Sequence, residues 1–220
     1  MGKFYLYLHQ PHKLSMDQIL SFVPEEARAQ VQEFLEKTKV PIKIKKKRKT
    51  KHGDFRRMVN GNVFITVNQT SNPYRFLITL LHELAHYKVS QSVFYQIKPH
   101  GKEWKKAFRE ILLPFLNPVI FPEPICSLMG AHMINPKAST DRDFNLVMAL
   151  KKYDPPSLTT PIYELLNGQE FRLENGRTFV KIRKRRTRFE CKELKNGRFY
   201  LFSPHAEVVP ICSSSLSSLR

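Results

Sequence analysis

The stretch from Phe76 to Tyr87 (Phe-Leu-Ile-Thr-Leu-Leu-His-Glu-Leu-Ala-His-Tyr) constrains this chain more than any other. It is almost wholly apolar, yet it carries two imidazoles and a carboxylate in the order H-E-x-x-H. Ser71-Asn72-Pro73 ahead of it supplies a helix start: a capping side chain, then proline in the first turn. The spacing therefore predicts a buried helix. On a helix, positions i and i+4 share a face, so His82 and His86 can grip one metal ion together. Glu83 borders that face and can take a proton from metal-activated water. Two imidazoles and a carboxylate packed among apolar neighbours are costly unless a cation or hydrogen bonds compensate them.

Around this helix the chain reads as a mixed α and β protein. Residues 1–14 look irregular or weakly stranded. Ser15 caps a short helix through Leu20, and Pro24-Glu25-Glu26 opens another to about Lys37, with Ala27, Val31, Phe34 and Leu35 on its apolar face. Ile42 to Lys45 alternates apolar and basic residues like a half-buried strand. His52-Gly53-Asp54 reads as a turn, Phe55 to Met58 as a second strand, and Asn60-Gly61 as a hairpin turn into a third strand, Asn62 to Val67. These make a small antiparallel sheet ahead of the metal helix, which runs to about Phe94. His100 begins the next helix, with Trp104, Ala107, Phe108, Ile111 and Leu112 as its apolar stripe. The prolines between Pro114 and Pro124 demand extended or looped chain. A further helix starts at Thr140 to Asp143, with Phe144, Val147, Met148 and Leu150 facing inward. Residues 153–161 are rich in proline, serine and threonine and read as a linker between domains 1–152 and 162–209. Asn167-Gly168, Asn175-Gly176 and Asn196-Gly197 mark hairpins of a small antiparallel sheet in the second domain, and residues 210–220 form a serine-rich tail.

Three cysteines without a C-x-x-C spacing indicate neither a disulfide framework nor a four-cysteine zinc site, and they fit a reducing compartment, the cytoplasm or its nucleoid. The first residues lack the apolar segment of a signal peptide, and no apolar run reaches membrane-spanning length. The formal charge of +18 points to a polyanionic partner. Nine Lys or Arg lie between Lys43 and Arg57 and six between Lys181 and Arg188. Lys45, Lys47, Arg48, Lys49, Arg183, Arg185, Arg186 and Arg188 are the candidate phosphate contacts, with Phe199, Tyr200 and Phe202 near enough to stack on exposed bases. No base-reading motif accompanies them, so contact with DNA or another polyanion should be tolerant of sequence and sensitive to salt. Lysines guarding strand edges are the plainer reading of such runs.

A catalytic zinc takes three protein ligands and keeps one position open. The third-ligand candidates are His100, Glu103, Glu110, Glu123 and His132, of which His100, at the mouth of the next helix, is favoured. A metzincin would carry glycine and histidine three and six residues after His86, where Val89 and Ser92 stand. Leu80 to Tyr87 followed by His100-Gly101-Lys102-Glu103-Trp104 resembles the SprT-like zinc metallopeptidases, which include the Spartan-type proteases that degrade proteins crosslinked to DNA. The likeness covers roughly residues 20–150. It implies a zincin-like α+β core, one catalytic Zn2+ on His82, His86 and His100, and Glu83 as the catalytic carboxylate. Many of these proteins continue into a zinc ribbon with paired C-x-x-C knuckles. Here Phe171 to Val209 holds only Cys191, which implies a metal-free β domain. The expected function is that of a zinc endopeptidase acting on proteins bound or crosslinked to DNA. The alternative is a nucleic-acid-binding or transcription-associated protein with a non-catalytic zinc site. Tyr87, Tyr95, His132 and the basic side chains are all open as oxyanion donors.

Overall fold

A computed structural model describes residues 15–48, 51–92, 98–137 and 139–211. Residues 1–14, Phe94, Tyr95, Lys49 and Cys212 with the tail beyond it, all invoked above, lie outside the described residues. The chain is α+β and divides into two compact units. The first runs to Thr140 and takes in Ala149–Asp154; the second holds Asp141–Met148 and the chain from Pro155.

In the first unit, α1 (Met16–Leu20) starts at a capping box in which Ser15 and Gln18 satisfy each other's backbone N–H groups. A 3-10 turn over Glu25–Ala27 feeds α2 (Arg28–Thr38), which buries Val31 and Leu35 and ends at Lys39 in the left-handed region. Three strands follow: β1 (Ile42–Lys45), β2 (Gly53–Arg57) and β3 (Val63–Asn68), in the order β1-β3-β2. The Asn60-Gly61 hairpin joins β2 to β3, with Gly61 at φ 82°. The sheet is mixed, not antiparallel as expected. The hairpin claims one edge of β3 for β2, so β1 pairs with the other edge, and it does so in parallel, Ile42 opposite Ile65. Arg48 and Lys51 both meet the end of β3: Asn68 donates to the carbonyls of Arg48 (3.3 Å) and Lys51 (2.6 Å) and receives the Arg48 guanidinium at 2.6 Å. His52-Gly53-Asp54 is no isolated turn, because Gly53 already opens β2.

The metal helix is α3 (Pro73–Ser92). Asn72 caps it, accepting from the Arg75 N–H at 3.0 Å, and buries its amide against the Leu150 carbonyl and the Asp154 carboxylate, both at 2.7 Å. Phe76, Leu77, Leu80, Leu81, Leu84 and Ala85 are all buried, which makes α3 the core of this unit. α4 (Lys102–Leu112) buries Trp104, Ala107, Phe108, Ile111 and Leu112, the stripe its 3.6-residue period predicts. A 3-10 turn (Leu113–Phe115) and a loop follow, and then α5 (Ile125–Ile134), a helix not expected from the sequence. Lys105 and Arg109 of α4 hold its end through Asn135 and the carbonyls of Met133 and Ile134. α6 (Phe144–Lys151), which belongs to the second unit as far as Met148 and to the first from Ala149, buries Leu146, Val147, Ala149 and Leu150; Phe144 is exposed and Met148 half-buried, so its inner face differs from the one expected.

The second unit is a six-stranded antiparallel sheet of β4 (Thr160–Pro161), β5 (Glu170–Arg172), β6 (Thr178–Lys184), β7 (Phe189–Glu193), β8 (Phe199–Phe202) and β9 (Glu207–Pro210), in the order β4-β9-β5-β6-β7-β8. Asn175-Gly176 and Asn196-Gly197 turn hairpins as expected. Asn167-Gly168 does not; it precedes β5, and its Gly168 N–H bonds the Lys181 carbonyl. Ile162, Leu165, Phe171, Phe179, Phe189, Cys191 and Val208 form the core. Among the described residues, no helix is long and apolar enough to cross a membrane.

Candidate metal centre

Three imidazoles converge in the first unit. The Nε2 atoms of His82, His86 and His100 form a near-equilateral triangle with sides of 3.1, 3.3 and 3.0 Å. Each neutral ring has one proton, so three nitrogens facing one another at this distance cannot all be satisfied by mutual hydrogen bonds. A cation can satisfy all three. Ligands at about 2.0–2.1 Å in tetrahedral array lie about 3.3 Å from each other, close to the observed sides. The three residues are thus close enough to bind one metal ion.

Local structure explains the convergence. His82 and His86 share one face of α3 through i, i+4 spacing. His100 lies one residue before the α4 N-cap, Gly101, and has φ 59°, a left-handed backbone that a non-glycine residue adopts at a cost of roughly 1 kcal/mol. The Gly101 N–H bonds the Lys98 carbonyl at 2.9 Å, and a Cβ at Gly101 would lie 2.9 Å from that same oxygen. The His-Gly pair is therefore a tight turn that throws one imidazole back towards α3. Trp104, one turn into α4, is the floor: its ring centroid lies 4.6, 5.4 and 4.7 Å from those of His82, His86 and His100. Phe108 stacks beneath it at 5.0 Å. The indole Nε1 is buried without a hydrogen-bond partner among the described residues.

Burial sets the electrostatics. It holds His82 well below the ordinary histidine value, helped by His86, His100 and His132, and it pushes His86 down to about 4, with His100 adding to the effect. His100 is lowered by burial too. All three shifts favour the neutral ring, the form that ligates metal. Glu83, 6% exposed, is pushed up to about 8 by burial and then by the nearby Asp54 carboxylate. A hydrogen bond from the Phe55 N–H and the charges of Arg48 and Lys51 act in the opposite sense. Asp54 is itself held by Lys51 at 2.9 Å and Arg56 at 2.6 Å.

The other site expectations divide. His132 lies on α5 and is 5% exposed. The Tyr87 hydroxyl donates to the Thr38 carbonyl at 3.2 Å. Lys45 and Lys47 are exposed. Arg48 is not a free cation, since it binds the Asn68 and Thr66 side chains across β3. Arg183 and Arg185 both contact Glu190, at 2.7 and 3.4 Å, whereas Arg186 and Arg188 stand exposed at the β6–β7 turn. Lys181, counted above in the same basic run, is 3% exposed and bonds the carbonyls of Leu165 and Tyr163 over the Phe189 ring. Tyr200 and Phe202 pack on Phe179, so of the three aromatics only Phe199 faces outward. The two basic runs belong to different units. Gly53, Phe55 and Asp54 around Glu83 were not anticipated; a glycine opening a strand is the one sequence signal for such a close backbone approach. Set against family profiles, curated proteins and solved structures, the chain matches none.

Proposed function

We propose that this protein is a zinc-dependent endopeptidase of SprT-like type that acts on proteins bound or crosslinked to DNA. The observation that carries the reading is a triangle of three imidazole nitrogens with Glu83 buried one residue after the first of them. Zinc held there supplies a Lewis acid that lowers the pKa of water and polarises a carbonyl. Glu83 accepts a proton from the attacking water and returns it to the amine nitrogen as the C–N bond breaks. Its carboxylate is held by a backbone N–H of β2, and the apolar floor of Trp104 and Phe108 keeps bulk water from the rings. The reading as a non-catalytic zinc site has less support. Structural zinc sites close with four protein ligands, and among the described residues the cluster has three.

Exposed Lys45 and Lys47 in the first unit, and Arg186 and Arg188 in the second, supply positive charge for phosphates. The test combines metal analysis with incubation of wild type and Glu83→Gln on a DNA-binding protein, with and without single-stranded DNA. Wild type should hold one zinc and cleave, while Glu83→Gln holds zinc and does not. Equal behaviour of the two proteins would refute the reading.

A further inference from the structure

Strand β2 lies along α3 in three rungs. Gly53 sits over Thr79 and Glu83, the Phe55 ring meets Tyr87 at 6.4 Å, and Arg57 donates to the Ser90 carbonyl at 2.9 Å. Residues two apart on a strand advance about 6.7 Å and four apart on a helix about 6 Å, so the two elements keep step. The approach is closest at Gly53. A Cβ there would lie 2.6 Å from Glu83 Oε1, 2.7 Å from Glu83 Cγ and 2.8 Å from Thr79 Cγ2. Neither neighbour gives way easily. Glu83 is buried, and the Thr79 hydroxyl is tied to the Arg75 carbonyl at 2.8 Å.

The register shows what this closeness achieves. Asn68 donates to His52 and Met58 to Asn62, so His52 and Met58 sit in hydrogen-bonded pairs with β3. By antiparallel alternation, Asp54 and Arg56 also face β3, and the N–H groups of Gly53, Phe55 and Arg57 point to the outer edge. β2 is that outer edge of the sheet, and the Glu83 carboxylate takes the Phe55 N–H. We infer that Gly53 is a positioning residue: its missing side chain lets the β2 backbone close on Glu83, so that the Phe55 N–H fixes one carboxylate oxygen and leaves the other for the proton. The inference rests on Glu83 acting as the general base proposed above.

The test uses the full chain with Gly53→Ala, Thr79→Ala and the double variant. Amide exchange is read by NMR on metal-free protein, and zinc content and peptide hydrolysis on loaded protein. An outward N–H on an edge strand exchanges freely unless something accepts from it. In Gly53→Ala, Phe55 should lose its protection at least about tenfold while Ile65 in β3 keeps its own. Zinc should remain bound, with kcat falling about a hundredfold at little-changed KM. Thr79→Ala in the double variant should restore stability but neither Phe55 protection nor kcat. Restoration of all three, or undiminished Phe55 protection in Gly53→Ala, would overturn the inference. If Gly53→Ala does not fold, Glu83→Asp in the Gly53 protein decides: its shorter arm must release the Phe55 amide, and retained protection overturns the claim. If zinc-loaded wild type cleaves nothing, the endopeptidase reading fails, while the exchange data still decide whether Gly53 seats Glu83 against β2.

Discussion

Glu83→Gln should change how the metal-free protein responds to pH, and the size follows from burial. The Glu83 carboxyl ionises at about 8 in the folded chain against an ordinary 4.5. The folded state thus binds this proton more tightly than the unfolded state. Its contribution to stability is complete below pH 4.5 and is lost as pH rises through 8, by about 5 kcal/mol in all at about 1.4 kcal/mol per pH unit. The imidazoles work in the opposite sense: ordinarily near 6.5, His86 is held at about 4 and His82 and His100 are lowered too, so their contributions are present above 6.5 and lost as pH falls. Below pH 6.5 the three imidazoles together outweigh the single carboxyl, and above pH 6.5 the carboxyl acts alone. Metal-free wild type should therefore be most stable near pH 6.5 and lose about 2 kcal/mol by pH 8. Glu83→Gln should lose almost nothing over that span. Urea unfolding with a chelator, at half-unit steps from pH 4.5 to 9, measures both proteins. Zinc should abolish the alkaline loss, because a cation beside the carboxylate favours its charged form. A wild-type-minus-variant difference that stays constant across the range would refute the reasoning.

Other perturbations separate the roles of neighbouring residues. His100→Ala removes one corner of the triangle and should weaken zinc binding at least about a hundredfold by calorimetric titration, with the fold retained. Asn72→Ala should cost about 2 kcal/mol or more in chemical denaturation, since it removes a helix cap together with buried bonds to Leu150 and Asp154. Arg48→Ala should lower stability, because its guanidinium clamps Asn68 and Thr66, whereas Lys45→Glu with Lys47→Glu should weaken DNA binding and flatten its salt dependence without touching stability. In the second unit, Glu193 is held down to about 2, first by its bond from Arg177. A depressed carboxyl stabilises above its ordinary 4.5 and ceases to as pH falls through 2, so Arg177→Ala should make acid unfolding begin at higher pH by circular dichroism.

Local signals were legible, and those that depend on distant partners were not. Asn72-Pro73 announced α3, and the period of Trp104, Phe108 and Ile111 announced the buried face of α4, because caps and periodicity act within a turn or two. α5 escaped notice because its lead-in is full of proline and its apolar residues show no one-sided period. The parallel pairing of β1 depends on which edge of β3 the hairpin leaves free, and no short window records that. Arg48 and Lys181 looked like their cationic neighbours. What turns them inward is an acceptor elsewhere in the fold, Asn68 for one and the Leu165 carbonyl for the other. Gly53 read as a turn former because the carboxylate it accommodates lies on another element.

Trp104 is the chain's one tryptophan, and its ring touches all three imidazoles. Indole emission therefore originates wholly at the metal centre, and the protein carries its own optical gauge of site occupancy. Cobalt or copper at the triangle should quench that light, and zinc, with a filled d shell, should not. A mixture of the ions could then be ranked by competition in a cuvette, without label or substrate.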